Sequence, residues 1–221
     1  MPNLILYNYF RSSTSYRARI ALALKGLTYE YKSVHLINNG GEQHSPEFRK
    51  LNPMGGVPTL IHDGQILSQS FAIIEYLDEA FPNKHRLFPE DLFKKALVRE
   101  FCQIINADIH SYANLKTLQY LENKLNIAEP QRLEWLHHFL GNGLQACEKI
   151  LEKRAGQYCF GDSVTAADCF LVPMLFTAKR FNVPLDSLKN CQRVNDNCLS
   201  LESFKIAHPY NQPDTPAELR N

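Results

Sequence analysis

A short apolar run, Leu4-Ile5-Leu6-Tyr7, gives way to a cluster of hydroxyls, Ser12-Ser13-Thr14-Ser15, and then to Ala18-Arg19-Ile20-Ala21-Leu22-Ala23-Leu24-Lys25. The first reads as a buried strand. The last, rich in strong helix formers and followed by Gly26, reads as a helix with glycine just past its end. The hydroxyls therefore lie where a strand turns into a helix N-terminus. Free backbone N–H groups and the positive end of the helix dipole favour an anion at such a place. A thiolate there can also accept a hydrogen bond from a serine, and thiol pKa values fall well below ~8.5 in such settings. Taken alone, the serines read equally as plain helix caps; two further segments favour the anion.

The second segment is Asn52-Pro53 leading through Gly55-Gly56 to Val57-Pro58-Thr59 and the apolar pair Leu60-Ile61. A proline at the entry to a strand cannot donate to the ladder. Two readings stand: an ordinary trans proline in a loop, or a cis bond that turns the Val57 backbone outward to pair with an extended peptide. Asp63-Gly64 then predicts a hairpin turn, with Gln65-Ile66-Leu67 as the return strand. The third segment, Gln69-Ser70, opens a helix expected over 71–80, with Ser70 as its N-cap. By the same logic as the first helix, this is a carboxylate site.

A polar break at Phe81-Pro82-Asn83-Lys84-His85-Arg86 separates this half from one of helical periodicity. There Phe93, Ala96, Leu97, Phe101 and Ile104 recur at three- and four-residue steps, and a long helix is expected over about 131–154. Its Trp135 reads as packing. Thr165-Ala166-Ala167-Asp168 has the form of a capping box. The expected domains are 1–83 and 88–221. Net charge is +1 in 221 residues, which gives no bulk attraction to nucleic acid or a membrane surface. No apolar run approaches the ~20 residues that span a bilayer, and the N-terminus has no signal-peptide pattern. The six cysteines lack disulfide-framework spacing and read as buried free thiols in a reducing cytoplasm. No C-x-x-C pair opens the first helix, so a thioredoxin-type redox role is excluded. The eight histidines form no metal pattern, and no metal is expected.

The run Tyr9-Phe10-Arg11-Ser12-Ser13-Thr14-Ser15-Tyr16-Arg17-Ala18-Arg19-Ile20-Ala21-Leu22 closely resembles the zeta-class signature of the glutathione transferase superfamily. Leu51-Asn52-Pro53-Met54 with Val57-Pro58-Thr59-Leu60 fits it, as do Gln69-Ser70-Phe71-Ala72-Ile73-Ile74-Glu75-Tyr76-Leu77 and a tail containing His208-Pro209, Gln212-Pro213-Asp214-Thr215-Pro216 and Glu218-Leu219-Arg220. The likeness runs nearly end to end. One departure stands out, since the class usually carries cysteine where this chain has Thr14.

The resemblance implies a thioredoxin-like α/β N-terminal domain followed by an all-helical C-terminal domain. It also implies glutathione as cofactor and a homodimer. The implied reaction is the glutathione-dependent cis-trans isomerisation of maleylacetoacetate in tyrosine and phenylalanine catabolism. The alternatives are a glutathione S-transferase acting on small electrophiles such as α-haloacids, and a maleylpyruvate isomerase. A non-catalytic binding scaffold of the same fold typically loses the hydroxyl cluster or the Gln-Ser pair, and both are present here. Ser12, Ser13 and Thr14 are the implied catalytic group, with Ser12 paired to the sulfur. Glutathione contacts are implied at these three and at Ser15, Tyr16, Arg17, Gln43, the Val57 backbone, Gln69 and Ser70. In the helical half they are implied at His110, which stands where the family often has glutamine, and at Asn114, Leu115 and Lys116. Arg11 and Arg180 are the candidates for the carboxylates of a small dicarboxylic acid substrate.

Overall fold

The structure is a computed structural model and describes residues 3–220. The chain divides into two compact units, residues 3–87 with 200–220, and residues 88–199.

In the first unit, β1 (Leu4–Asn8) lies parallel to β2 (Glu30–Ser33) and antiparallel to β3 (Thr59–His62), which pairs in turn with β4 (Gln65–Ser68). The sheet order is β2-β1-β3-β4. Leu6 stands opposite Leu60, and both are buried. The β3–β4 turn places Asp63 and Gly64 at φ 48° and 83°, the left-handed pair expected of an Asp-Gly hairpin.

Helix α1 (Ser13–Leu24) follows β1 and is buried from Ser15 to Leu22 without interruption. Its end is a Schellman motif. Gly26, at φ 60°, donates to Ala23 O while Leu27 N donates to Leu22 O, satisfying carbonyls the helix leaves open. Beside it Lys25 forms a buried ion pair with Asp78 at 2.9 Å. Lys25 Nζ also donates to the Phe81 and His85 carbonyls, and Leu87 N donates to Asp78 Oδ1. This network ties α1 to α3 (Ser70–Ala80) and to the segment leaving it. The short α2 (Pro46–Leu51) lies between β2 and β3 in sequence.

In the second unit, α4 (Leu92–Gln103) runs through a π-helical turn (Ile104–Ile109) into α5 (His110–Ala113) and α6 (Leu115–Asn123). The long α7 (Glu129–Arg154) starts two residues earlier than expected, with Pro in its first turn, where proline is tolerated. Its buried stripe is Leu136, Leu140, Leu144, Cys147 and Leu151. Gly143 on α7 allows the π turn to approach: a Cβ there would meet Ile109 Cγ1 at 2.3 Å. Helix α8 (Ala166–Arg180) is almost wholly buried. At its start the Asp168 carboxylate accepts from the N–H groups of Thr165 (2.8 Å) and Cys159 (2.9 Å) and from the Thr165 hydroxyl (3.1 Å). The capping box thus has a folding role. Helix α9 (Lys189–Leu199) starts on the Glu148 carboxylate, which accepts from Asn190 N, Asn190 Nδ2 and Cys191 N at 2.8–2.9 Å.

The expectation of a helical domain running from 88 to 221 needs correction at its end. The segment after Leu199, including α10 (Glu202–Ala207), belongs to the first unit. Arg19 of α1 donates to Ala207 O, and Asp214 accepts from Phe10 N, because buried polar groups of the first unit find their partners there.

Candidate active site

Ser12 is the N-cap of α1, with φ −68° and ψ 120°, and its Oγ accepts from Ser15 N at 3.2 Å. It lies 2.9 Å from Thr14 Oγ1, which donates to the Val57 carbonyl at 2.8 Å. A carbonyl only accepts, so the single Thr14 hydrogen goes to Val57 and Ser12 is the donor within the hydroxyl pair. A relay Ser12→Thr14→Val57 therefore joins the helix start to the loop ahead of β3. The Val57-Pro58 bond is cis. Asn52 shapes this loop: its Nδ2 donates to Gly56 O and Thr59 Oγ1, and its Oδ1 accepts from Met54 N. The first turn of α1 carries no acidic residue, so the positive end of its dipole meets no carboxylate from that turn.

The other expected residues of this unit fall into two groups. Ser15 and Tyr16 are fully buried. Ser15 Oγ accepts from Tyr9 N at 3.4 Å, and the Tyr16 ring meets His208 edge-on at 6.0 Å. Their side chains build the turn from beneath, so the expectation of glutathione contacts there does not extend to those side chains. Ser13 is 8 % exposed and opens the helix. Arg17 is as buried as Tyr16, yet its Nη1 reaches Ser70 Oγ at 3.4 Å. Because arginine only donates, the Ser70 hydrogen remains available to an anion.

Ser70 is the first residue of α3 and not its cap, as expected from the sequence. The cap position belongs to Gln69, exposed and at φ 74°, ψ 115°. Residues with a Cβ rarely adopt that conformation, and such backbone outliers gather at ligand sites. This helix start, too, has no acidic residue in its first turn. Gln43 is 5 % exposed and donates through Nε2 to Leu36 O, while its Oε1 has no hydrogen-bond partner among the described residues. A buried amide oxygen of this kind suits a ligand N–H. Arg11 is half-buried with its guanidinium 5.9 Å from the Phe10 ring.

In the helical unit, His110 opens α5 directly after the π turn, an irregularity often found at functional sites. Asn114 is the N-cap of α6, accepting from Thr117 N and donating to Ser111 O, both at 2.9 Å. Leu115 is half-buried and Lys116 exposed. Arg180 ends α8 with its guanidinium 4.7 Å from the Phe181 ring. Trp135, expected as packing, lies against Phe139 at 4.5 Å and donates to Tyr112 O.

All six cysteines are buried and free, and all lie within residues 88–199. Burial pushes the Cys147 thiol up to about 12 and raises Cys159, Cys191 and Cys198 as well. No cysteine stands in residues 9–17, so the turn at Ser12 carries no thiol of its own. Arg19, Tyr31 and Asp214 have no place in the sequence reading of the site, although all three bear on the turn that carries Ser12.

The chain matches the family described as glutathione S-transferase, N-terminal domain, over residues 2–79, and its C-terminal domain over 140–196. It is 45 % identical to the maleylacetoacetate isomerase of Mus musculus over 98 % of this chain and 97 % of that one. It is also similar to the holo structure of a bacterial maleylpyruvate isomerase titled as a zeta-class glutathione S-transferase, with TM-score 0.92 and 40 % identity, covering 96 % of this chain and all of that one. A maleylacetoacetate isomerase from Anaeromyxobacter dehalogenans, solved with glutathione bound in its active site, gives TM-score 0.87 and 39 % identity over 97 % of this chain and 99 % of that one.

Proposed function

Because the chain belongs to the glutathione S-transferase family, and within it to the zeta class, we propose that it is a maleylacetoacetate isomerase that uses glutathione as coenzyme. The observation that carries this reading is the acid-free, hydroxyl-capped start of α1 in a protein whose six thiols are all buried. Gln43 Oε1, buried and awaiting a donor, and the acid-free start of α3 fit the amide and carboxylate groups of the tripeptide.

Glutathione, when bound, supplies a thiolate that adds to the conjugated alkene, allows rotation about the resulting single bond, and is expelled unchanged. Ser12 turns its hydroxyl hydrogen from Thr14 to the sulfur and holds the thiolate form. Ser13 and Thr14 line the same place, with Thr14 keeping the Val57 loop in position. The Val57 backbone pairs with the peptide, while Gln69 and Ser70, backed by Arg17, hold the carboxylate end. His110, Asn114, Leu115 and Lys116 are assigned to the coenzyme from the helical unit. Arg11 and Arg180 are each assigned to a carboxylate of the substrate, since a guanidinium binds a carboxylate through two parallel hydrogen bonds.

The test is product analysis with glutathione below stoichiometry. Many equivalents of maleylacetoacetate should become fumarylacetoacetate with free thiol constant throughout; loss of one thiol per turnover would replace the isomerase by a transferase acting on small electrophiles such as α-haloacids. Maleylpyruvate is the second substrate to assay, because the similar holo structure is named for it. The same reading makes the protein a cytoplasmic homodimer of aromatic amino-acid breakdown. Six reduced cysteines suit a reducing compartment, and Leu92 and Phe93, 81 % and 71 % exposed, suit cover by a second copy.

A further inference from the structure

Tyr9 and Phe10 carry the chain from β1 to the cap Ser12, and their backbone is held from both sides. Arg19, 1 % exposed on α1, donates through Nη1 to Asn8 Oδ1 (3.0 Å) and Tyr9 O (3.2 Å), and through Nη2 to Phe10 O (2.9 Å). Its Nε donates to Ala207 O at 3.0 Å. From the other side Asp214 Oδ2 accepts from Phe10 N at 3.0 Å across 204 positions of sequence. The same carboxylate is fixed by the Tyr31 hydroxyl and by Ser33 Oγ at 3.0 Å. Burial raises the Tyr31 pKa and keeps that phenol a donor. Ser12 N donates to Tyr9 O at 3.1 Å, so the pinned turn leads straight into the cap.

A helix cap alone requires only the Ser12 and Ser15 contacts. Here two charged side chains also fix the N–H and C=O of one peptide, two residues before the hydroxyl, and neither is among the residues assigned above to glutathione or substrate. That fits a hydroxyl that must meet a sulfur at one position, since small misplacements of such a group weaken its transition-state contacts. We infer that Arg19 and Asp214 are positioning residues for the Ser12 hydroxyl, so that the C-terminal tail sets how strongly the site holds the glutathione thiolate. This rests on the function proposed above.

The experiment compares the unaltered protein with Asp214→Ala, Asp214→Asn and the double variant Tyr31→Phe/Ser33→Ala, which leaves Asp214 in place but frees its carboxylate. Two quantities are read: amide hydrogen exchange over residues 9–15 without ligand, and the pKa of bound glutathione from thiolate absorbance. In Asp214→Ala, exchange of Phe10 and Ser12 should speed up. The bound thiol pKa should rise by about one unit, a roughly tenfold fall in the ratio of thiolate to thiol at fixed pH, while glutathione affinity read at a pH below the bound thiol pKa changes less than twofold. Asp214→Asn, whose amide oxygen can still accept from Phe10 N, should return most of the shift, and the double variant should show part of it. Faster exchange with an unmoved thiol pKa would reduce the brace to a structural one and overturn the inference, as would no change in either quantity. If Asp214→Ala does not fold, the double variant decides on the same two readings. Absence of any thiolate signal in the unaltered protein would overturn the proposed function itself, and the inference with it.

Discussion

Two helix starts in each unit of this protein, α8 and α9 against α1 and α3, are filled differently. In residues 88–199 the starts of α8 and α9 are each filled by a carboxylate of the chain itself, Asp168 and Glu148. Burial pushes the Glu148 pKa up, but the hydrogen bonds from Cys191 and Asn190 outweigh it and hold the group below the ordinary carboxylate range. In the first unit the starts of α1 and α3 carry hydroxyls and no acid in their first turns. Helix ends attract anions for one physical reason, the unpaired N–H groups and the aligned dipoles. Where the chain supplies the anion, the helix end serves folding; where it supplies only a hydroxyl, the end is left for a ligand.

Asp168→Ala should have the largest effect and should fall on stability. It strands two buried N–H groups and a hydroxyl, a loss of about 3–5 kcal/mol readable by urea unfolding. A variant as stable as the parent would break the comparison on its folding side. Ser12→Ala comes next and should leave stability within about 1 kcal/mol, the usual scale for a lost cap. It should raise the bound thiol pKa by about one to two units, because a hydrogen bond to a charged acceptor contributes about 1.5–3 kcal/mol. Turnover should fall, with glutathione affinity nearly unchanged when it is read at a pH below the bound thiol pKa. Ser70→Ala should do the reverse, weakening glutathione binding by about 1–2 kcal/mol with little change in saturated turnover, as calorimetry and kinetics together would read. A large fall in saturated turnover with unaltered binding would misplace Ser70.

The smallest effect concerns His208 in the tail. Burial, then the charge of Arg19, lowers its pKa, and its Nδ1 accepts from Tyr210 N. The unfolded chain therefore takes up the proton first, and stability should decline as pH falls below about 6.5, levelling off beneath the lowered value. Melting curves between pH 7 and 5 should show a shallower slope in His208→Gln; an equal slope would remove His208 from that role.

Much of this is legible in the sequence because the signals are local. The Ser12 cluster, the Asp63-Gly64 turn, Gly26 and the Thr165–Asp168 box each act within a few residues, and each takes the conformation its chemistry dictates. Ser70 is misread by one position because the cap Gln69 adopts a positive φ that its residue type does not announce. Ser15 looks identical in kind to its neighbour Ser12, and only the packed helix shows that it and Tyr16 face inward. The tail is illegible for a different reason. Asp214 finds Phe10, Tyr31 and Ser33 by long-range closure, and no spacing along the chain encodes that pairing.

The central claim is that the acid-free start of α1 holds a thiolate the chain does not itself possess. Its most direct test is the ultraviolet titration of glutathione bound to the unaltered protein. The account predicts an apparent thiol pKa well below the free value of about 8.5; a bound thiol that titrates at or above that value would contradict it.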